Sequence, residues 1–202
     1  MTPSHEFRLD LRWWERIAPF LNIKAMMEIP FKGPESMIDI DASGSWGLGA
    51  INYVDFEFFL LRTPVILKNL PIHCAEMGVL MLVVDTWRGK TLVETQSDVN
   101  TKESLFHSSH LRMRSDNMAV VSAINNGKTR DDFLGVGMRY VHHHMASKGA
   151  QLSLSYVSTK MNIWADKLSR GCQSTVDELL SCGYGQVFIP EPRLAELMKT
   201  DI

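Results

Sequence analysis

The sequence predicts an α/β domain built on a mixed five-stranded sheet, three antiparallel strands and then strand–helix units, flanked by helices. Three strand-like stretches follow one another between residues 37 and 61, separated only by short turns, which is the pattern of an antiparallel meander. After residue 110 strand-like and helix-like periodicities alternate, which adds parallel strands to the same sheet. The composition agrees: 202 residues with 45% hydrophobic and 22% charged side chains can bury one large core or two small ones.

Taken in order, residues 6–18 place Leu9, Trp13 and Ile17 beside Phe7, Leu11, Trp14 and Ala18 on neighbouring helical stripes, and Pro19 ends that helix. Residues 26–34 are punctuated by Pro and Gly and read as a linker. Met37–Ala42 alternates apolar and polar side chains as a strand does. Gly44, Gly47 and Gly49 lead into a second strand over residues 50–54, and the aromatic run 56–61 makes a third. Ile72, Ala75, Val79, Leu82 and Trp87 recur at helical spacing behind Pro71. Residues 88–110 carry no clear period and read as an inserted loop, either tolerated or in contact with substrate. Leu111–Asp116 alternates again, residues 117–126 and roughly 131–148 are helical, and Gln151–Val157 is the last strand. A short helix over Asn162–Arg170 precedes an acidic tail with a further helix over Thr175–Ser181. The expected organisation is a connecting helix and linker over 1–35, the α/β domain over 36–171, and the tail over 172–202.

The charge balance excludes a binder that works by bulk positive charge, because 21 Lys and Arg stand against 23 Asp and Glu for a formal net charge of −2. The balance is uneven along the chain. Residues 1–87 and 171–202 are net acidic and residues 88–170 net basic. Three cysteines without a CxxC pair argue against a disulfide framework or a structural zinc site, and for a reducing compartment inside the cell, cytoplasm or nucleus. The amino terminus lacks a secretory h-region, and no run of 18 apolar residues predicts a membrane span. His142–His144 are expected as surface and packing residues, since consecutive helical side chains diverge by about 100°.

Four carboxylates sit where burial makes them costly unless capped, paired or bound to a cation. Asp41 closes an apolar strand, Glu76 lies one turn into an apolar helix, Asp116 ends a strand, and Asp166 lies near the start of a short helix. Each has a plain structural alternative: a turn for Asp41, a solvent-facing edge for Glu76, a helix cap for Asp116 and a helix-dipole partner for Asp166. Asp85 competes with Glu76 but falls on another face of the same helix.

The blocks around these residues carry a resemblance. Asp41-Ala42-Ser43-Gly44-Ser45-Trp46-Gly47-Leu48-Gly49-Ala50 resembles the DAS-x-x-GWGA opening of retroelement ribonuclease H domains. Ser115-Asp116-Asn117-Met118-Ala119-Val120-Val121 resembles their SDN-x-AVV segment, and Asn162-Ile163-Trp164-Ala165-Asp166-Lys167-Leu168-Ser169-Arg170 their N-x-x-AD-x-LSR close. Leu9–Trp14 resembles the DL-x-WW segment that joins a reverse transcriptase to such a domain, and the likeness is to DIRS-like, tyrosine-recombinase-type and related retroelements. The family's His-Ile-Pro-Gly-like stretch is replaced here by Tyr156–Met161, which offers no histidine.

The resemblance implies a ribonuclease H-like fold and an Asp-Glu-Asp-Asp set at Asp41, Glu76, Asp116 and Asp166. It implies a cofactor of two Mg²⁺ ions, with Mn²⁺ as a substitute, because hard cations take oxygen ligands. Two such ions about 4 Å apart activate a water and stabilise the leaving 3′ oxygen in phosphodiester hydrolysis. The implied activity is cleavage of the RNA strand of an RNA–DNA hybrid, and the implied partners are that hybrid and the polymerase portion of a reverse transcriptase. Ser43, Trp46 and Asn117 flank the carboxylates, while Arg112, Arg114, Lys128 and Arg130 are candidates for phosphate contact; packing and solvated faces are the plain alternatives. The chain itself reads as the carboxyl-terminal piece of a polyprotein or a gene derived from one. The competing reading is a catalytically inactive module of the same fold that binds nucleic acid or a protein.

Overall fold

The computed structural model describes residues 5–18, 35–87, 110–147 and 150–199. The expected linker over 26–34 lies outside the described residues, as does the inserted loop expected over 88–110 except for residue 110, which begins a strand.

Strands β1 (Glu35–Ala42), β2 (Gly47–Asn52) and β3 (Glu57–Arg62) form the antiparallel meander, while β4 (His110–Ser115) and β5 (Gln151–Tyr156) add in parallel on the other side of β1. The order across the sheet is β5-β4-β1-β2-β3-β6. The expected five strands become six, because residues Gly185–Gln186 form β6 parallel to β3. Two residues are too few to show a period. What makes them a strand is two backbone hydrogen bonds, Gly185 to Phe56 at 2.7 Å and Val187 to Phe58 at 2.8 Å.

Alternation along β1 divides the side chains between the two faces of the sheet. Ile38 and Ile40 face the larger core under helices α2 (Ile72–Trp87), α3 (Met118–Asn126) and α4 (Asp132–Ser147). Asp39 and Asp41 therefore face the other side, where α5 (Ile163–Ser169) and α6 (Gln173–Ser181) pack Leu168, Val176 and Leu179 against Ile51 and Phe58. Helix α2 is apolar nearly all round and runs through the core, with Met77 through Val84 all buried. That burial carries Glu76 inside with it. The first helix, α1 (His5–Ile17), docks on α4 through the Trp13 indole, which donates to the Arg139 carbonyl at 3.3 Å.

Past Gly171 the chain continues in contact with the domain. Helix α7 (Arg193–Lys199) sends Leu194 and Leu197 into the larger core, as does Ile189 before it. No described helix is long and apolar enough to cross a membrane.

Candidate active site

The end of β1, the start of α2 and the end of β4 meet at one end of the sheet's central strands, because β1 and β4 run parallel and finish side by side. Asp41, Glu76 and Asp116 each direct a carboxylate oxygen into this corner, and the oxygens lie within 4.8 Å of one another. Asp41 and Glu76 are buried, and Asp116 is half-buried.

Each carboxylate is held by its surroundings. Glu76 bridges two strand ends, accepting from the Ala42 amide at 2.9 Å and the Ser115 hydroxyl at 3.3 Å. Asp41 accepts from the Ser169 hydroxyl. Asp116 accepts from the Thr159 hydroxyl at 2.5 Å. Asp166 stands outside the trio: one of its oxygens takes both Nε and Nη2 of Arg170, at 2.9 and 2.7 Å. It is still close enough to raise the Asp41 carboxyl.

The electrostatics follow from burial and like charge. Burial pushes the Asp41 carboxyl up to about 7; Asp116 and Asp166 add to the rise, while Ser169 and Arg170 oppose it. Burial also holds the Glu76 carboxyl well above its ordinary range, and Asp41 reinforces this. Buried oxygen donors that repel one another fit a hard divalent cation, whose charge offsets both costs.

The alternatives weighed for the four carboxylates resolve in different ways. Glu76 does not face solvent, and Asp85 is placed at the far end of α2 in an ion pair with Arg193 at 2.7 Å. The cap of α3 is Asn117, whose side chain accepts from Ala119 and Val120 at 3.1 and 3.3 Å, so Asp116 is left for the corner. Asn117 thus sits beside the trio while serving the helix.

The flanking residues separate. Ser43 is buried in the turn after β1, with its hydroxyl 3.0 Å from that of Ser45. Trp46 is covered by the Arg62 guanidinium, 4.5 Å from its ring, and lies against Gly171. The two share the wall of an open cavity of about 600 Å³ with Lys68 and Asn69. Arg112 is exposed on β4, and Lys128 and Arg130 are exposed between α3 and α4. Arg114 is placed elsewhere: it forms a two-point ion pair with the buried Asp39, at 2.6 and 2.8 Å, which Tyr53 completes with a 2.8 Å hydrogen bond.

Sequence reasoning missed Ser169, Arg170 and Thr159, which hold the carboxylates, and Asn162, which holds the strand that carries Asp41. Asn162 is fully buried and donates to the Ile40 carbonyl at 2.8 Å, which ties the start of α5 to β1. Ser169 and Arg170 lie inside the quoted closing block, so helical spacing from Asp166 was the available signal: three and four residues on, they share its face. Nothing local signals Thr159.

The fold and geometry define a class: an α/β domain with an oxygen-donor, cation-attracting site where its central parallel strands end. No family model matches the chain, and no curated protein matches it. Among solved structures it is similar to the ribonuclease H1 of the halophilic archaeon Halobacterium salinarum NRC-1, at 14% identity and TM-score 0.45, over 72% of this chain and 99% of that one. A second is the N-terminal RNase H domain of a Mycobacterium tuberculosis protein, solved as a fusion with maltose-binding protein, at 13% identity and TM-score 0.45, over 74% and 98%. A third is LC11-RNase H1, isolated from compost by a metagenomic approach, at 15% identity and TM-score 0.43, over 72% and 96%.

Proposed function

We propose that the chain is a retroelement-type ribonuclease H that hydrolyses the RNA strand of an RNA–DNA hybrid with divalent metal ions. The observation that carries this is the meeting of Asp41, Glu76 and Asp116 from three separate elements, within 4.8 Å, with Asp41 and Asp116 at the positions of the sequence blocks quoted above. Asp41, Glu76, Asp116 and Asp166 hold the ions, Mg²⁺ or in its place Mn²⁺. The ions supply the charge that makes a water nucleophilic and stabilises the leaving 3′ oxygen.

The chain's own residues prepare that site. Ser115 and the Ala42 amide fix Glu76, and Ser169 fixes Asp41. Arg170 competes for Asp166 by taking one of its oxygens. Ser43, Trp46, Asn117, Arg112, Lys128 and Arg130 contact the hybrid, whose groove shape and 2′-hydroxyls identify it without reading its sequence. Arg114 acts at one remove, by holding Asp39 beneath the same face of the sheet. The polymerase portion of a reverse transcriptase is the proposed protein partner.

The test is a substrate panel with Mg²⁺: RNA–DNA hybrid, single-stranded RNA, double-stranded RNA and double-stranded DNA. Selective cutting of the RNA strand of the hybrid, leaving 3′-hydroxyl ends, supports the reading; equal cutting of all RNA, or 2′,3′-cyclic ends, refutes it. The withdrawal of Asp166 toward Arg170 favours the second reading, an inactive hybrid-binding module. That reading predicts binding of the hybrid with no cleavage in Mg²⁺ or Mn²⁺.

A further inference from the structure

A second group of metal-ligating side chains gathers where the start of α2 meets the start of α4. His73 and Cys74 are in the first turn of α2, and Asp131 immediately precedes α4. One ring nitrogen, the sulfur and one carboxylate oxygen lie within 4.8 Å of one another. We propose that His73, Cys74 and Asp131 form a zinc site, separate from the carboxylate corner and independent of the nuclease reading.

Donor chemistry selects the metal. A nitrogen, a sulfur and an oxygen suit Zn²⁺, and the thiolate disfavours Mg²⁺, which prefers oxygen alone. A tetrahedral zinc with bonds of about 2.0–2.3 Å needs ligand atoms roughly 3.2–3.7 Å apart. The His73 Nε2 and Asp131 Oδ2 atoms are already 3.0 Å apart. The cation replaces the proton between them, and the Cys74 thiol gives up its proton to solvent as the sulfur binds. One thiolate and one carboxylate neutralise the divalent charge, which suits a half-buried position.

Two further observations support a built site. Cys74 is 2% exposed, and its thiol makes no hydrogen bond among the described residues, so a buried donor faces the group without a partner. Asp131 is oriented from behind: its other oxygen accepts from the Leu134 amide at 2.9 Å, and its own amide donates to the Thr129 hydroxyl at 3.1 Å. Such outer partners fix a ligand's direction. His73 and Asp131 keep side-chain exposures of 29% and 36%, which gives the ion a route in and leaves its fourth position to water. Cysteine spacing gave no zinc signature because the third ligand arrives from another element, more than fifty residues along the chain. Bound zinc pins the start of α2 to the start of α4, and so braces the helix that carries Glu76.

Cobalt(II) is the probe, titrated into the full chain with excess Mg²⁺ present to occupy the all-oxygen corner. The expected result is one equivalent of Co²⁺ with tetrahedral visible bands and a near-ultraviolet thiolate-to-cobalt band, all displaced by Zn²⁺. Cys74→Ser removes the thiolate band and His73→Ala weakens cobalt binding at least tenfold. Asp41→Asn and Cys172→Ser leave the spectrum unchanged. Absence of a thiolate band in the unmodified chain overturns the proposal, whether or not the variants fold. A thiolate band that survives Cys74→Ser overturns it as well.

Discussion

The Ser169 hydroxyl donates a hydrogen bond to the Asp41 carboxylate, joining the last turn of α5 to the end of β1 across most of the length of the chain. Both side chains are buried. The bond favours the charged carboxylate, but burial outweighs it and the carboxyl is pushed up to about 7. The folded chain without metal therefore binds this proton more tightly than the unfolded chain does. The associated stability is fully present below the ordinary value of 3.8 and is lost as pH rises through about 7. In chelator, the melting temperature falls between pH 5 and pH 8, and Asp41→Asn flattens that fall. At pH 8 the variant is the more stable, by on the order of 1–4 kcal/mol. Thermal melts at several pH values check this, and an equal slope in both proteins contradicts it.

Metal affinity carries the opposite dependence. Cations bind the deprotonated carboxylates, so Mg²⁺ affinity rises with pH through the same range. Calorimetric titrations at pH 6 and pH 8 should show tighter binding at the higher pH in the unmodified chain, and a weaker dependence in Asp41→Asn.

Arg170 brings a positive charge to a site that attracts cations, and Asp41, Asp116 and Asp166 all feel it. Arg170→Gln removes that competition and releases Asp166. Since the guanidinium is largely exposed, solvent limits the gain, and Mn²⁺ affinity measured by calorimetry should rise by about 2–5-fold. An unchanged or weakened affinity shows that the ion pair positions Asp166 for the metal instead of withholding it.

Gly49 allows α5 to approach β2 closely. A Cβ there would lie 2.5 Å from the Ser169 amide nitrogen and 2.9 Å from the Ala165 carbonyl oxygen, both backbone atoms. Gly49→Ala must push the helix away and take Ser169 and Asp166 with it. The expected cost is about 1–3 kcal/mol of stability, with metal binding weakened as well. Gly44→Ala is the control, since a Cβ there meets nothing within 4 Å. Paired melts and titrations of the two variants decide the matter.

Asp39 is fully buried, and Arg114 is the cation that balances it. Among the described residues, Arg114→Ala leaves that carboxylate with the Tyr53 hydrogen bond alone, at an expected cost of about 2–4 kcal/mol in denaturant unfolding. Arg114→Lys recovers part of this. A near-neutral Arg114→Ala would place the arginine's role at the surface.

How far the chain could be read in advance follows from how local each feature is. The alternation in Met37–Ala42 and Leu111–Ser115 depends on neighbours in sequence, and both strands are present. Strand β6 depends on β3 for its hydrogen bonds, so two residues carried no sign of it. Burial of Glu76 was legible in the apolar run around it. The partners of the carboxylates were less so, because Thr159 meets Asp116 only once β5 lies beside β4. Arg114 illustrates the same limit in reverse: it is a candidate for phosphate contact from the sequence, whereas strand register sets Asp39 beside it.

The proposed cleavage of RNA in hybrids at the acidic corner is best tested by a Mg²⁺-dependent assay on a labelled RNA–DNA hybrid. The series compares the unmodified chain with Asp41→Asn, Glu76→Gln and Asp116→Asn, each confirmed as folded by circular dichroism. The expected result is cutting of the RNA strand by the unmodified chain, abolished by chelator and reduced to background in all three variants. Cleavage that persists in both Asp41→Asn and Asp116→Asn would contradict it, as would a folded, hybrid-binding chain that cuts at no concentration of Mg²⁺ or Mn²⁺.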